Sequence, residues 1–133
     1  MEVKRLFVYG TLKKGFYNHT RCLKGYEGVK LIDDDAKVNG FRLCSVHDSY
    51  PAMFPTGDEE DVVSGEIYEI SNGRVWESIE MMEVGAGYHI LGFRYEEGEN
   101  LDLTWTYVFS DPGKHPLLRR AGGISSWEKG HNS

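Results

Sequence analysis

With 133 residues, 40% of them hydrophobic and 27% charged, the chain is long enough to enclose one core and too apolar to stay disordered. Acidic side chains outnumber basic ones 21 to 15, for a formal net charge of −6, and the densest basic spots are the dipeptides Lys13-Lys14 and Arg119-Arg120, so no basic aromatic stripe is on offer to nucleic acid. Two cysteines, Cys22 and Cys44, cannot make a disulfide framework, the five histidines lack zinc-ligand spacing, and no apolar run approaches the roughly 20 residues of a membrane helix.

The start, Met1-Glu2-Val3-Lys4-Arg5, runs into a strand-like segment rather than a signal peptide's apolar stretch, which makes the cytoplasm the expected location. No repeat, low-complexity tract or linker divides the chain, and residues 1–133 are expected to form a single domain. Arg5-Leu6-Phe7-Val8-Tyr9 reads as a buried strand stopped by Gly10. Asn18 can cap a short helix over 19–23, with Gly25 as its terminator. After an acidic turn, Asp33-Asp34-Asp35, residues 37–43 form a plausible strand. Residues 62–70 form a stronger one, with Val63, Gly65, Ile67 and Glu69 on one side and Ser64, Glu66, Tyr68 and Ile70 on the other. Ser71-Asn72-Gly73 breaks it and leads into a helix over about 74–82, whose buried stripe is Val75, Ile79 and Met82; Gly85-Ala86-Gly87 ends that helix. Strands are expected at 88–95 and, most clearly, at 101–109, where Leu101, Leu103, Trp105, Tyr107 and Phe109 alternate with Asp102, Thr104, Thr106 and Val108. The aromatics Trp105 and Tyr107 read as core. The tail carries Leu117-Leu118 and Trp127 and frays at His131-Asn132-Ser133. Many strands, two short helices and glycine-rich turns predict an α+β fold with a small curved sheet or barrel.

Two places carry possible chemistry. A buried strand that stops at Gly10 leaves backbone N–H groups in Tyr9-Gly10-Thr11-Leu12 without ladder partners, and such groups can converge on a carboxylate. The same residues also fit an ordinary strand followed by a turn. The second place is Glu83, which on a helix falls within one narrow arc of Trp76 and Ile79. A carboxyl beside an indole and a branched aliphatic is partly desolvated, its pKa rises, and it becomes suited to taking and returning a proton near neutral pH. The plainer reading is a solvated glutamate at a helix end. Asp33-Asp34-Asp35 and Asp58-Glu59-Glu60-Asp61 lack the ligand spacing of a calcium loop and read as solvated turns. Ser45-Val46-His47-Asp48 contains the residue types of a triad, but neighbours in one segment seldom converge.

Taken in order, the motifs resemble those of the gamma-glutamylcyclotransferase-like family, and most of all its gamma-glutamylamine cyclotransferase branch. Phe7-Val8-Tyr9-Gly10-Thr11-Leu12-Lys13-Lys14-Gly15 followed by Asn18-His19 is similar to the N-terminal signature. Tyr50-Pro51-Ala52, Val63-Ser64-Gly65-Glu66-Ile67-Tyr68, Ile79-Glu80-Met81-Met82-Glu83, Tyr88, Trp105-Thr106-Tyr107 and Ser126-Trp127 follow in sequence. The chain departs at Ile79-Glu80, where the family has Leu-Asp, and at Ile90, where an arginine is expected.

The resemblance implies a small mixed β-barrel with flanking short helices. It implies that Tyr9, Gly10, Thr11 and Leu12, with Tyr88, bind the glutamyl end of a small-molecule γ-glutamyl substrate, and that Glu83 is the catalytic glutamate. The implied reaction is cyclisation of a γ-glutamyl amine or peptide to 5-oxoproline with release of the amine, the work of a carbon–nitrogen lyase or cyclising acyltransferase, and it needs no cofactor and no metal. The alternatives are a non-catalytic module that binds a γ-glutamyl or carboxylate ligand, and a scaffold for another protein. No nucleic-acid or membrane partner is expected, and the chain should be a monomer or a weak homodimer.

Overall fold

The computed structural model describes residues 2–47, 49–97, 100–118, 120 and 122–127. In chain order the elements are β1 (Lys4–Val8), α1 (Tyr17–Cys22), β2 (Val29–Asn39), β3 (Phe41–Val46), β4 (Tyr50–Pro55), β5 (Val62–Ile70), α2 (Gly73–Gly85), β6 (His89–Glu97), β7 (Asn100–Val108) and β8 (Ile124–Ser125). Among the described residues no helix is long and apolar enough to cross a membrane.

The apolar run Leu6-Phe7-Val8 occupies the middle of the main sheet, whose order is β2-β5-β1-β7-β6, with β8 added beside β5. A central strand is covered on both faces, which explains why Leu6 and Phe7 are both 1% exposed. β1 runs antiparallel to β5, Val8 opposite Glu66, and parallel to β7, Leu6 opposite Trp105. β3 and β4 form a separate hairpin, and the tail segment docks on it through Leu118 N–H to the Leu43 carbonyl, 2.9 Å, and Ser45 N–H to the Pro116 carbonyl, 2.8 Å.

The α+β class holds, but the sheet does not close into a barrel. Among the described residues no ladder joins the outer strands β2 and β6. The Tyr95 hydroxyl instead donates to Asp33 Oδ2 at 3.1 Å across a groove of about 750 Å³ lined in part by Val38, Phe41 and Phe93. The reason lies in β2, whose register against β5 slips twice, between Leu31 and Asp33 and between Asp33 and Ala36. The acidic triplet is therefore no turn before a strand. It sits inside an 11-residue edge strand, where bulges and charged side chains bend the edge and discourage further pairing. The strand expected over 37–43 is likewise divided at Gly40, whose φ of +88° passes the chain from one sheet to the other.

Both helices differ from expectation at their ends. Phe16, not Asn18, is the N-cap of α1, and Asn18 lies inside the helix with its amide donating to Thr11 Oγ1 at 2.7 Å. Asn72 caps α2 by accepting from Arg74 N–H, 3.0 Å, and Val75 N–H, 3.3 Å, and the helix runs on to Gly85, which places Glu83 in its last turn. Val75, Trp76 and Ile79 are its buried stripe, with Met82 half-buried. In β7 the threonine face is the deeper one, Thr104 and Thr106 being fully buried. Tyr107 is also core, while Trp105 is only half-buried. Asp61, expected in a solvated turn, is buried and paired with Arg120. The two cysteines are buried, free thiols. The fraying expected at 131–133 lies outside the described residues.

Gly65 decides how close β5 can come to the end of β1. A Cβ there would stand 2.3 Å from the Val8 carbonyl oxygen and 2.7 Å from Phe7 Cζ, and the first of these is backbone that cannot step aside. Gly65→Ala should therefore lower the unfolding free energy by about 2–3 kcal/mol in urea titration, against a few tenths for Gly57→Asn, placed where a left-handed turn faces open space.

Candidate active site

Where β1 ends the chain passes through Tyr9, Gly10, Thr11 and Leu12. The buried Tyr9 hydroxyl donates to the Tyr107 carbonyl at 2.6 Å and accepts from Met53 N–H at 3.0 Å, joining the end of β1 to β7 and β4. Gly10 lies under Pro51, whose Cγ would be 2.8 Å from a Cβ on residue 10, so only glycine admits the proline of β4 at this point. The following loop is held by its carbonyls. Lys13 N–H donates to the Gly10 carbonyl and His19 N–H to the Thr11 carbonyl, both at 3.0 Å. The His19 side chain lies 3.0 Å from the Leu12 carbonyl through Nδ1, which must carry the proton because a carbonyl only accepts. Glu66 Oε1 accepts from Lys14 N–H, 2.7 Å, and from the Tyr68 hydroxyl, 3.1 Å. Among the described residues the N–H groups of Gly10, Thr11 and Leu12 have no hydrogen-bond acceptor. Three successive uncommitted amides beside a cavity are suited to an anion.

That cavity, with the open space of its mouth counted in, measures about 360 Å³. Its floor is Leu6, Phe7 and Val8, and Tyr9 to Leu12 form one wall. Glu83 from the last turn of α2, Tyr88 just before β6, Tyr107 of β7 and Pro51 close the rest. Glu83 is half-buried as a residue, with its carboxyl withdrawn from water in this wall, and burial raises it from 4.5 to about 7. Among the described residues no lysine, arginine or histidine lines the pocket to pull it back down. The three phenols are raised as well, each by burial first and then by neighbouring charge that includes Glu83, and all remain protonated. The pocket thus pairs uncommitted donors with one carboxyl that exchanges its proton near neutrality.

All six residues singled out from the sequence, Tyr9, Gly10, Thr11, Leu12, Glu83 and Tyr88, line this one pocket. Tyr88 has its hydroxyl turned to the protein, donating to the Pro51 carbonyl at 2.5 Å, with its ring 6.2 Å from Tyr50 and 4.7 Å from Phe109. Ile90, at the place of the expected arginine, is exposed and is not part of the wall. In the segment from Ser45, His47 packs on His115 at 5.4 Å, and Asp48 lies outside the described residues. Sequence reasoning missed Pro51 and Tyr107. Tyr107 had a signal: a tyrosine placed in a core must find a partner for its hydroxyl, and nothing nearby in sequence supplies one.

The family model described as gamma-glutamyl cyclotransferase, AIG2-like, matches residues 6–128. The chain belongs to that family. A gamma-L-glutamyl-butirosin B gamma-glutamyl cyclotransferase of Niallia circulans is 31% identical over 111 residues, which span 79% of this chain and 66% of that relative. Among solved structures, an uncharacterized protein of Pyrococcus horikoshii superposes with a TM-score of 0.68 at 23% identity, over 91% of this chain and 88% of the other. An AIG2-like protein of Mus musculus gives a TM-score of 0.65 at 23% identity, over 82% and 78%. These two show the shared fold, and the fold sets β1, its loop and α2 around the pocket.

Burial of Glu83 has a thermodynamic consequence with a definite sign. The folded state holds this proton more tightly than the unfolded chain does, so the unfolding free energy falls as pH rises from 4.5 to about 7. Glu83→Gln carries no such proton. It should exceed the parent in stability by about 2–3 kcal/mol at about pH 8, with the gap closing toward about pH 4, as read by urea unfolding at several pH values.

Proposed function

We propose that the chain cyclises a γ-glutamyl amine or γ-glutamyl peptide to 5-oxoproline, releasing the amine, with Glu83 as the general acid and base. The observation that carries this reading is a single carboxyl, raised to about 7 by burial, sharing one pocket with the three uncommitted amides of Gly10, Thr11 and Leu12. Membership of the family supports cyclotransferase chemistry in general, and the relative named for gamma-L-glutamyl-butirosin B supports a γ-glutamyl compound as substrate.

The reaction asks little of the protein beyond placement. The substrate's α-amine lies a few bonds from its own γ-carbonyl, and folding the chain back brings nucleophile and carbon together within one molecule. The amides of Gly10, Thr11 and Leu12 hold the α-carboxylate, and the rings of Tyr9 and Tyr88 with Pro51 keep the glutamyl chain bent. The α-nitrogen reacts as the free amine, its ammonium proton lost to solvent on binding and regained there by the released amine. Glu83 as carboxylate takes the next proton as that nitrogen bonds to the carbonyl carbon. The resulting carboxylic acid then gives the proton to the departing nitrogen as its bond to carbon breaks. The proton count closes, and neither water nor a cofactor enters. A group with a pKa near 7 suits both halves, because neither transfer is then steeply uphill.

Screening γ-glutamyl amines, amino acids and peptides for 5-oxoproline release tests the reading. The parent should turn over at least one of them, and kcat/KM should rise with pH through about 7 as Glu83 ionises. Glu83→Gln keeps the volume and removes the proton carrier, so its rate should fall by about 10²–10⁴ while ligand binding in calorimetry persists. A parent that binds these compounds tightly and releases no 5-oxoproline would instead be a binding module.

A further inference from the structure

Three phenols line the pocket beside Glu83, and two of them have already committed their protons. Tyr9 donates to the Tyr107 carbonyl at 2.6 Å and Tyr88 to the Pro51 carbonyl at 2.5 Å. Tyr107 is 4% exposed, yet among the described residues its hydroxyl has no hydrogen-bond partner. A buried hydroxyl without a partner lowers stability, and native structures carry few of them outside functional positions. Glu80 and Glu83 both act on this phenol through their charge, after burial itself, and hold its proton on. It is therefore a donor in search of an acceptor, on a residue that lines the same pocket as Glu83.

We propose that the Tyr107 hydroxyl is a catalytic residue that donates a hydrogen bond to the substrate's γ-carbonyl oxygen as ring closure places negative charge there. This rests on the cyclisation reading and deepens it. Of the two oxygen sites a γ-glutamyl compound offers, the α-carboxylate is charged from the outset and is repelled by ionised Glu83, so it belongs on the uncommitted amides of Gly10, Thr11 and Leu12. The γ-carbonyl carbon must come within proton-transfer reach of Glu83, which puts its oxygen in the pocket that Tyr107 lines with Glu83. When the α-nitrogen bonds to that carbon, the carbonyl π pair moves onto oxygen, and the Tyr107 O–H stabilises the oxyanion without giving up its proton. Collapse of the oxyanion re-forms the C=O bond and expels the amine, which takes its proton from Glu83. A donor already in place, in a pocket withdrawn from water, acts most strongly on charge that exists only in the transition state.

Tyr107→Phe tests this, because it deletes one partnerless oxygen and leaves the ring that packs in the core. Steady-state release of 5-oxoproline, alongside thermal unfolding, should show kcat reduced about 10²-fold, KM within about twofold of the parent, and a melting temperature no lower. The proposal is overturned by a variant as fast as the parent. It is overturned equally by raised KM with unchanged kcat, which would put the hydroxyl on the carboxylate, and by a lowered melting temperature, which would reveal a structural partner. In each of those cases parental turnover keeps the cyclisation reading standing. If the parent itself forms no 5-oxoproline, that reading and this one fall together.

Discussion

One buried oxygen joins three strands beside the pocket: the Tyr9 hydroxyl donates a hydrogen bond to the Tyr107 carbonyl of β7 and accepts one from the Met53 N–H of β4. β1 and β4 belong to different sheets, so this junction fixes one sheet against the other at the place where the central strand stops. Pro51 then comes to rest on Gly10, and Tyr88 reaches the Pro51 carbonyl from the other side. The pocket wall follows from that chain of contacts. A tyrosine here supplies both a donor and an acceptor at the tip of a rigid ring, which phenylalanine could not do.

The opposite wall works by withholding partners. Glu83 stands in the final turn of α2, where the helix macrodipole disfavours negative charge, beside phenols and aliphatic side chains and, among the described residues, with no cation along the pocket lining. Burial raises the carboxyl to about 7 and leaves it balanced between its two forms near neutral pH. A lysine at the rim would make the fold more stable at that pH and the carboxyl a poorer base. The chemistry and the stability of this site therefore pull against each other, as they do where a titratable group is held out of water for a purpose.

Much of the site could be read from the sequence because its parts are local. The apolar run ending at Gly10 announces a buried strand with loose amides at its tip, and the arc shared by Trp76, Ile79 and Glu83 announces a carboxyl on a buried helix face. What stayed hidden depends on contacts between distant residues. The role of Tyr107 depends on which of three phenols is left without an acceptor, and its neighbours at Tyr9 and Glu83 lie 98 and 24 positions away in the chain. The cap at Asn72 rather than a start at Arg74 is a local signal that was passed over. Failure of the sheet to close comes from two slips in the pairing of β2, and an acidic triplet alone does not say whether it bends a strand or interrupts it. Asn18 illustrates the same limit, since its amide serves the loop at Thr11 and not the helix it resembles a cap for.

The loop from Gly10 to Gly15 has its carbonyls tied to α1 and to its own turn, and its Lys14 amide to Glu66. A loop fastened through its acceptors has little motion left to surrender, so its free donors keep one arrangement whether or not a guest is present. The entropy of arranging them is lost once, when the protein folds, and not again at each encounter with a ligand. A few bonds to the loop's carbonyls thus keep three main-chain donors in place beside one small cavity.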